Sequence, residues 1–311
     1  MWRPSPEGDP WTLASRVRAQ PPSPGFAGGD VDQDAILAIL AERYPVRVRQ
    51  VGTSSVTLRL DMTGSVTAAF KPRTDSHPRG WQAEIAAYRV ARALGMDNVP
   101  PALARRFARP VLEARFEPAH PGDWDTIRDE IRWDNPGVVR GAMIYWVPEM
   151  RRSELDTEAG LTPLWNGLSA EGPVPSDPRA ADVAVMLAFD YLIGNWDRLS
   201  GGNVSQTANG ERLFVRDHNV AFQAPLTGAR YERVRGWLER VQRFPRGFVA
   251  RLVDMDEATV RAAMAADPEN EAQATLTDEQ IAELMGRRRA LLSYIAGLVA
   301  LNGTDAVLAW D

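Results

Sequence analysis

The 311-residue chain contains no cysteine and only three histidines, His77, His120 and His218. The missing thiols exclude disulfide bonds, thiolate nucleophiles and cysteine-ligated zinc, and the scattered histidines argue against a histidine-rich metal site. The sequence also lacks an apolar run of the roughly 18 residues that a membrane span needs, and residues 1–30 contain no signal-peptide core. We therefore expect a cytoplasmic protein without a transmembrane segment.

A dominant charge of one sign is absent as well. The 36 basic and 41 acidic residues give a net charge of -5, and no basic block is long enough to follow a nucleic-acid backbone. We therefore expect no nucleic-acid partner. Hydrophobic residues make up 44% of the chain, which at this length is sufficient for a full core and two lobes.

Lysine is nearly absent, because Lys71 is the one lysine among the 36 basic residues. Lysine offers a compact ammonium on a slim stem, whereas arginine offers a broad planar set of donors. Either this lysine persists by chance, or position 71 needs a small point charge in a phosphate or carboxylate pocket. The sequence around it favours the second interpretation.

Hydrophobic periodicity divides the first half of the chain into an arm, a small sheet and helices. Residues 1–30 are rich in proline and glycine and predict an extended arm. Apolar residues then recur first at helical and later at alternating spacing. This pattern predicts the following elements: helix 32–43, strands 46–51, 56–62 and 66–71, and helix 81–94 with Glu84 in its first turn. The charged, proline-containing stretch 110–137 predicts an irregular surface insertion.

The second half is predicted to be mainly helical after one buried strand. Residues 141–147 form an apolar run ended by a proline, as expected for a strand that leads into a hinge. A cap at Asp177 followed by proline predicts the start of a helix that ends at Gly194. The chain from Tyr231 onward is predicted to be helical, and Thr277–Gln280 has the capping-box pattern.

Candidate metal ligands converge around a hairpin predicted in this half. Asn209–Gly210 is a strong hairpin turn, and a two-residue turn there places Asn203 opposite Arg216. Asp217 then lies beside Asn203 and next to the loop that carries Asp197. Two carboxylates and a carboxamide provide the hard oxygen ligands that suit magnesium.

The order of these parts along the chain indicates a chemistry. The small-residue loop 52–55 comes first, followed by Lys71 at a strand end and then by Glu84. A buried lysine needs a carboxylate partner, and Glu84 is the natural candidate, although it could instead only face the helix dipole. Kinases that transfer phosphoryl groups use a loop, a lysine, a glutamate and then oxygen ligands in this order.

Four segments resemble the atypical kinases typified by four-jointed and the Golgi casein kinase (family with sequence similarity 20). More distantly they resemble the phosphatidylinositol 3/4-kinases and the HipA-type kinases. The segments are Ala69–Pro72, Glu84–Tyr88 with Val99–Pro101, Asp190–Arg198 and Asp217–Phe222, which together span roughly residues 46–225 in the family's order. The sequence Gly-Asn-Trp-Asp-Arg, at 194–198, is the distinctive part.

The resemblance implies an α+β, two-lobed protein-kinase-like fold. A small sheet-plus-helix N-lobe would occupy residues 31–147, and a larger, mainly helical C-lobe would occupy residues 148–311. ATP and Mg²⁺, or Mn²⁺, would bind in the cleft between them. The implied activity is transfer of the γ-phosphoryl group to a hydroxyl of a protein, sugar, lipid or other small molecule, and the sequence does not identify this acceptor.

The resemblance also implies roles for individual residues. The residues expected to bind nucleotide are Lys71, Glu84, Gly52, Ser54 and Val147. Asp197 would be the catalytic aspartate that orients or deprotonates the acceptor, and Asp217 would bind the metal. Asn203 would be the second metal ligand, but it lies six residues after Asp197 where the kinase pattern has five.

Two other functions stay open from the sequence. The displaced Asn203 is compatible with a catalytically silent pseudokinase that binds nucleotide as a regulator. A kinase-like enzyme that transfers AMP is the second alternative. Asp190, inside the helix before the loop, is expected to be structural. The arginines of 287–289 and those from Arg230 to Arg251 are expected to be solvated, with a docking surface for an acidic substrate as an alternative.

Overall fold

The computed structural model describes residues 25–27, 29–52, 55–135 and 137–311. Its first half is built on an antiparallel five-stranded sheet, in which the strands 45–51, 57–62, 66–72, 138–145 and 102–108 are neighbours in this order. The elements of this half are β1 (Gly25–Phe26), β2 (Gly29–Asp32), α1 (Gln33–Glu42), β3 (Pro45–Val51), β4 (Thr57–Met62), β5 (Val66–Pro72), α2 (Gly80–Ala93), β6 (Ala102–Ala108), α3 (Arg109–Glu113), α4 (Asp123–Glu130) and β7 (Val138–Tyr145).

Alternating side chains build the core of this sheet. On β4, Leu58, Leu60 and Met62 are buried and their neighbours are partly exposed, as a sheet with one covered face requires. The turn to β5 contains Gly64 with a φ of 77°, a backbone conformation that glycine adopts without strain. Phe70 of β5 packs edge-on against Phe107 of β6, with ring centroids 5.0 Å apart.

A close approach of two strands fixes the position of Lys71. Lys71 pairs with Ala142 in the register of β5 and β7, one residue from Gly141. A Cβ atom at Gly141 would lie 2.4 Å from the Lys71 carbonyl oxygen, so a larger residue would push the strands apart. The glycine therefore allows β7 to hold the strand end that carries the lysine.

Helix α2 is buried on almost all sides between the sheet and the second half of the chain. Trp81 and Ile85 pack on Ala104 and Ala142 of the sheet. The opposite side of the helix, including Ala87 and Val90, belongs to the core of the helical half. This burial on both sides fixes the helix that carries Glu84.

The second half is mainly helical. Its elements are β8 (Arg151–Arg152), a 3-10 turn (Glu154–Asp156), α5 (Glu158–Leu161), α6 (Trp165–Leu168), α7 (Ala180–Ile193), β9 (Val204–Gln206), β10 (Leu213–Val215), α8 (Gly228–Leu238), α9 (Arg246–Asp254), α10 (Glu257–Ala265), α11 (Asp278–Asn302) and α12 (Thr304–Val307). Helix α7 lies in the core and ends at Gly194, whose left-handed φ of 71° turns the chain into the next loop.

Most predicted elements are confirmed with small shifts of their ends. The hairpin β9–β10 pairs Val204 with Val215, and the N–H of Arg216 donates to the carbonyl of Asn203 at 3.1 Å, in the predicted register. The capping box of α11 is also present, since Thr277 and Gln280 bond each other's backbone.

Several predictions of local structure were wrong. Glu84 does not lie in the first turn of α2, which begins at Gly80, and Arg243 and Arg287 are buried although they were expected to be solvated. The stretch 110–137 is not an irregular surface insertion, because it contains α3 and α4 and buries Leu112 and Ile127 in the core of the sheet half. Strand β6 was not predicted, since Arg105 and Arg106 interrupt its apolar pattern. Helix α7 begins after the expected site, because the Asp177 carboxylate accepts the N–H of Arg179 in a turn that precedes the helix.

Residues 1–24 of the predicted N-terminal arm lie outside the described residues. The arm's boundary at residue 30 and the lobe boundary at residues 147–148 stay predictions. Within the described ranges, none of the helices combines the length and the apolar character that crossing a bilayer requires.

Candidate active site

A cavity of ≈ 260 Å³ lies between the sheet and the helical half. One end is apolar and is lined by Val51, Ala69, Val99, Pro100, Ala102, Ile144, Val147 and Met150. The other end carries charge, with Lys71, Glu84, Arg216 and Asp217 in its wall. A compound with an apolar part and an anionic part matches this division.

Lys71 lies between two carboxylates at the charged end. Its Nζ donates to Glu84 Oε1 at 2.6 Å and to Asp217 Oδ1 at 2.7 Å. Burial alone would lower the pKa of Lys71, but the attraction of the two carboxylates outweighs it and holds this pKa above its ordinary value. The ammonium therefore stays charged across the physiological pH range.

Glu84 is a buried partner of this lysine, with 4% of its side chain exposed. Its Oε1 also accepts the backbone N–H of His218 at 3.0 Å, and its Oε2 lies 3.4 Å from His218 Nδ1. Burial would raise the pKa of Glu84, but Lys71 and His218 together hold it well below its usual range. Glu84 thus links α2 to the segment that carries Asp217, which is more than a contact with the helix dipole.

Asp217 follows β10 in a left-handed conformation with a φ of 59°. Such a conformation is uncommon outside glycine, and aspartate is among the residues that tolerate it. Asn195 donates to the backbone carbonyl of Asp217 at 3.3 Å. The side chain remains 35% exposed, so the carboxylate can reach a ligand while one of its oxygens contacts Lys71.

A buried ion pair holds the loop that follows α7. Arg198 Nε and Nη2 donate to the two carboxylate oxygens of Asp190 at 2.9 and 3.0 Å. Arg198 Nη1 donates to the carbonyls of Asn203 and Arg216. Arg198 therefore fastens the loop to both strands of the hairpin, and Asp190 is structural, as expected from the sequence.

Asp197 and Asn203 lie close together on this loop. Asn203 Nδ2 donates to the Asp197 carbonyl at 2.8 Å, and Asn203 Oδ1 makes no hydrogen bond within the described residues. The Asp197 carboxylate is partly exposed and likewise makes no hydrogen bond or ion pair with another described residue. Neither residue lines the cavity itself, so the structure places them beside its charged end.

Two glycines accommodate the extra residue before Asn203. Gly201 and Gly202 have φ values of 94° and 88°, which only glycine adopts readily. The N–H of Gly202 donates to Asp156 Oδ2 at 2.8 Å, and the N–H of Gly201 donates to the Asp156 carbonyl at 3.1 Å. Sequence reasoning missed Asp156, because nothing in its local pattern shows that it meets a loop 46 residues later.

The remaining predicted nucleotide residues lie at the cavity or outside the described chain. Gly52 lines the cavity with a φ of 80°, and a Cβ atom at this position would have no described atom within 4 Å. Val147 also lines it, and its N–H makes no hydrogen bond within the described part of the chain. Ser54 lies outside the described residues. Arg216 was missed, although its place opposite Asn203 in the hairpin was a usable signal.

The donor set fits a small divalent cation. The described residues contain no group of three or more histidine or acidic side chains that would hold a metal alone. Asp217 and Asn203 instead offer a carboxylate and a carboxamide oxygen near an open end. Mg²⁺ is usually bound by one or two such protein ligands together with water and substrate phosphates, so the residues fit this cation in the presence of a nucleotide.

Comparison with known proteins identifies the fold. No protein-family model matches the chain, and no curated protein matches it. A structure of the Golgi casein kinase with Mn and ADP bound is similar at a TM-score of 0.68 and 17% identity, covering 97% of this chain and 84% of that one. Another Golgi casein kinase structure has a TM-score of 0.69 at 17% identity, covering 98% and 83%.

A third similar structure is that of hydra Fam20 with sugar. It has a TM-score of 0.68 at 18% identity and covers 94% of this chain and 97% of that one. The predicted fold class is therefore confirmed: the chain has the two-lobed, kinase-like fold of the Golgi casein kinase and of hydra Fam20.

Proposed function

We propose that the chain is an ATP-dependent phosphotransferase that moves the γ-phosphoryl group of ATP to a hydroxyl. The observation that carries the proposal is the position of Lys71 Nζ, 2.6 Å from Glu84 and 2.7 Å from Asp217. In kinases a lysine on a central strand pairs with a helix glutamate, next to the aspartate that binds the metal. The kinase-like fold and the Mn and ADP in one similar structure support the same interpretation.

The two ends of the cavity suggest how ATP would bind. The apolar walls, among them Ala69 and Ile144, suit an adenine base. The N–H of Val147, which makes no hydrogen bond to any described residue, is a donor for the edge of the base. Lys71 provides the fixed positive charge for the phosphates. Gly52 leaves room for the phosphates to approach the backbone. The part of Ser54 in this site stays a prediction.

Asp217 and Asn203 are the residues that would hold Mg²⁺ or Mn²⁺. The metal would neutralise charge on the phosphates during transfer. Asp197 has a partly exposed carboxylate with no partner among the described residues, so it is free to accept a hydrogen bond from the acceptor hydroxyl. Positioning and charge stabilisation of this kind supply most of the catalysis in phosphoryl transfer.

The acceptor and the location of the protein stay open within this proposal. A protein, a sugar, a lipid or another small molecule can each present a hydroxyl, and the fold does not choose among them. The absence of a nucleic-acid partner stays a prediction from the charge pattern. The cytoplasmic location is also a prediction, and two of the similar structures belong to a protein named for the Golgi.

The test uses ATP labelled at either the γ or the α phosphate, with Mg²⁺ and a panel of protein, sugar and lipid acceptors. We expect γ-label transfer, reduced about 10²-fold or more in Asp197→Ala because the acceptor loses its base or orienting group. Asp256→Ala, a change at a distant helix cap, is the matched control and should transfer label normally. Transfer of α-label would instead show an AMP transferase, and intact ATP binding without any transfer would show a pseudokinase.

A further inference from the structure

A second cavity, of ≈ 710 Å³, lies at the beginning of α2. It shares no lining residue with the first cavity, but the two are adjacent: Ala83 and Asn219 line the second, and their neighbours Glu84 and His218 line the first. The described wall consists of residues 76–80, 82–83, 196, 219–225, 230, 275–277 and 279–280. The cavity is thus separated from the Lys71 site by one turn of helix and one stretch of backbone.

Two arginines in this wall have no anionic partner in the part of the chain that the structure describes. Neither Arg79 nor Arg230 forms an ion pair with any described residue. Arg79 Nη2 donates to the Thr275 carbonyl and to Gln280, at 3.2 and 3.1 Å, and its Nε is buried without an acceptor. Burial lowers the pKa of Arg79 because no carboxylate offsets the loss of water. The acidic residue in the wall, Glu279, is exposed and also unpaired among the described residues.

Trp196 lies beside one of these arginines in the cavity wall. The Arg230 guanidinium lies 4.5 Å from the centre of the Trp196 ring, and Arg230 Nη1 donates to the Gln223 side chain at 3.1 Å. The indole N–H of Trp196 is buried without an acceptor. Two cations without anions and two N–H groups without acceptors make this wall complementary to an oxyanion, since arginine binds phosphoryl oxygens through paired N–H groups.

Part of the remaining wall is apolar, and the cavity has room for more than a bare ion. Val220, Ala221, Pro225 and Leu276 line it together with the Trp196 ring. The volume is that of a site for a small organic ligand. An organic group attached to the oxyanion would therefore be covered by apolar surface.

The walls of this cavity are connected to the Lys71 site. Arg79 directly precedes α2, the helix that carries Glu84. Gln280, which accepts from Arg79, donates to the Phe222 carbonyl at 2.7 Å. A Cβ atom at Gly80 would lie 3.3 Å from the Asn219 carbonyl oxygen, so the helix packs directly on the backbone that follows Asp217. A ligand that draws Arg79 and Arg230 together would hold α2 against this segment.

We propose that this cavity binds a small phosphomonoester, with the phosphoryl oxygens held by Arg79 and Arg230 and the organic group against Trp196. Binding stabilises the position of α2 in which Glu84 contacts Lys71. The binding itself needs no catalytic activity, whereas its effect on nucleotide binding rests on the proposed function. Binding in one cavity then favours binding in the other, since both require the same arrangement of α2.

The test measures binding of phenyl phosphate to the full chain by isothermal titration calorimetry at constant ionic strength. We expect saturable binding that Arg79→Gln and Arg230→Gln each weaken about tenfold or more, as loss of a charged hydrogen-bonding partner implies. Arg240→Gln is the matched control, because Arg240 also stacks on a tryptophan, 3.7 Å from the Trp165 ring centre, but lies outside the cavity wall. It should bind phenyl phosphate normally.

Two further measurements separate this site from the nucleotide cavity. Lys71→Gln should still bind phenyl phosphate saturably, with the same dependence on Arg230, and a Lys71→Gln chain whose binding no longer depends on Arg230 would overturn the proposal. Phenyl phosphate should also slow modification of the Lys71 amine by an amine-reactive reagent in the unaltered chain, but not in Arg230→Gln. No effect on this rate would overturn the proposed coupling.

Other outcomes are equally decisive. The proposal is wrong if binding is not saturable, or if Arg240→Gln weakens it as much as Arg230→Gln. Arg230 is exposed, so Arg230→Gln should fold. This variant therefore tests the proposed phosphate site even if Arg79→Gln does not fold. A chain that binds phenyl phosphate with the expected arginine dependence but does not bind ATP would leave this site in place and refute the proposed function.

Discussion

Two buried ion pairs lie close to the proposed reaction centre, and they differ in what is left for a ligand. Asp190 and Arg198 are both 0% exposed, and every terminal nitrogen of Arg198 donates to a protein oxygen. Lys71 is 12% exposed and forms ion pairs with the buried Glu84 and the partly exposed Asp217. The first pair is closed within the protein, whereas the second faces a cavity.

The difference explains why only one of the pairs suits chemistry. A closed pair holds backbone in place, and here it fastens the Asp197 loop to the strand that ends before Asp217. An open pair keeps a charge ready for a partner from outside, which costs less reorganisation when a phosphate binds. An ion pair of a basic and an acidic side chain therefore holds backbone in place at Arg198, whereas at Lys71 it keeps a charge available to a ligand.

The largest effect should come from breaking the closed pair. Arg198→Met leaves the buried Asp190 carboxylate without a positive charge beside it, with the Asn195 side chain as its remaining donor. It also removes the guanidinium donor from the carbonyls of Asn203 and Arg216, so the fold should be destabilised by about 3–5 kcal/mol. Chemical denaturation measures this. Arg261→Met removes a surface arginine that pairs with Glu257 and Asp278 and should change stability by less than about 1 kcal/mol. If Arg198→Met and Arg261→Met lowered the free energy of unfolding equally, the buried Asp190–Arg198 pair would not hold the fold more strongly than a surface ion pair.

Substitution in the open pair should instead abolish function while the fold survives. Lys71→Met should lower ATP turnover about 10²-fold or more, because the phosphates lose their fixed positive charge. It should destabilise the protein less than Arg198→Met, since Asp217 can turn to water and Glu84 keeps the His218 N–H. Turnover and denaturation of the same preparation check both statements.

Lys71→Arg sharpens the test at the same position. The guanidinium keeps the charge but is too broad for a site in which Nζ lies 2.6 and 2.7 Å from two carboxylates. We expect a folded protein with reduced nucleotide binding, measured by calorimetry with ADP and Mg²⁺. Normal binding and turnover in this variant would mean that the single lysine of the chain has no special role.

The sequence revealed the open pair better than the closed one. Lys71, Glu84 and Asp217 belong to a recognisable order of parts, and the turn at Asn209–Gly210 fixed the register beside Asp217. Besides Asp190, Arg198 contacts two backbone carbonyls that flank the hairpin β9–β10, and no sequence pattern encodes these contacts. For the same reason the contact of Asp156 with the glycine loop was missed.

Local composition also misled where tertiary packing decides the structure. The stretch 110–137 has the charges and prolines of a surface loop. Ile127 and Ile131 nevertheless anchor it in the core of the sheet half, and two apolar side chains are too weak a periodic signal to predict this. The second cavity depends on the contact of Arg79 with Gln280 and on the position of Arg230 beside Trp196, and both pairs are far apart in sequence.

The raised pKa of Lys71 predicts how its amine reacts. Its ion pairs keep it protonated above the ordinary value of about 10.4, so at about pH 9 it should react with an amine reagent more slowly than the α-amino group. ATP with Mg²⁺ should slow the reaction further by covering the amine. Glu84→Gln removes one carboxylate, lowers this pKa and should speed the reaction. Peptide mass spectrometry measures both rates in one sample.

The same pKa sets a pH dependence of stability. A lysine whose pKa is higher in the folded than in the unfolded chain contributes stability that is fully present below the unfolded value. That contribution is lost as the pH rises through the folded value. Denaturation between about pH 8 and pH 11 should therefore show a loss of stability at the alkaline end. The loss should be smaller in Glu84→Gln, and an unchanged slope in that variant would argue against the ion pair as its cause.

The smallest effect concerns the glycine that leads into Asn203. Gly202 has a φ of 88° and an open space where a Cβ would lie, so Gly202→Ala strains only the backbone and should destabilise by about 1 kcal/mol. Gly236 also has open space but lies within α8 without a positive φ, and Gly236→Ala should stabilise by up to about 1 kcal/mol. If the two substitutions change the free energy of unfolding in opposite directions, then backbone conformation, and not the space for a Cβ atom, decides the effect at Gly202. Because that conformation also sets the distance from Asp197 to Asn203, Gly202→Ala should lower turnover, whereas Gly236→Ala should leave it unchanged.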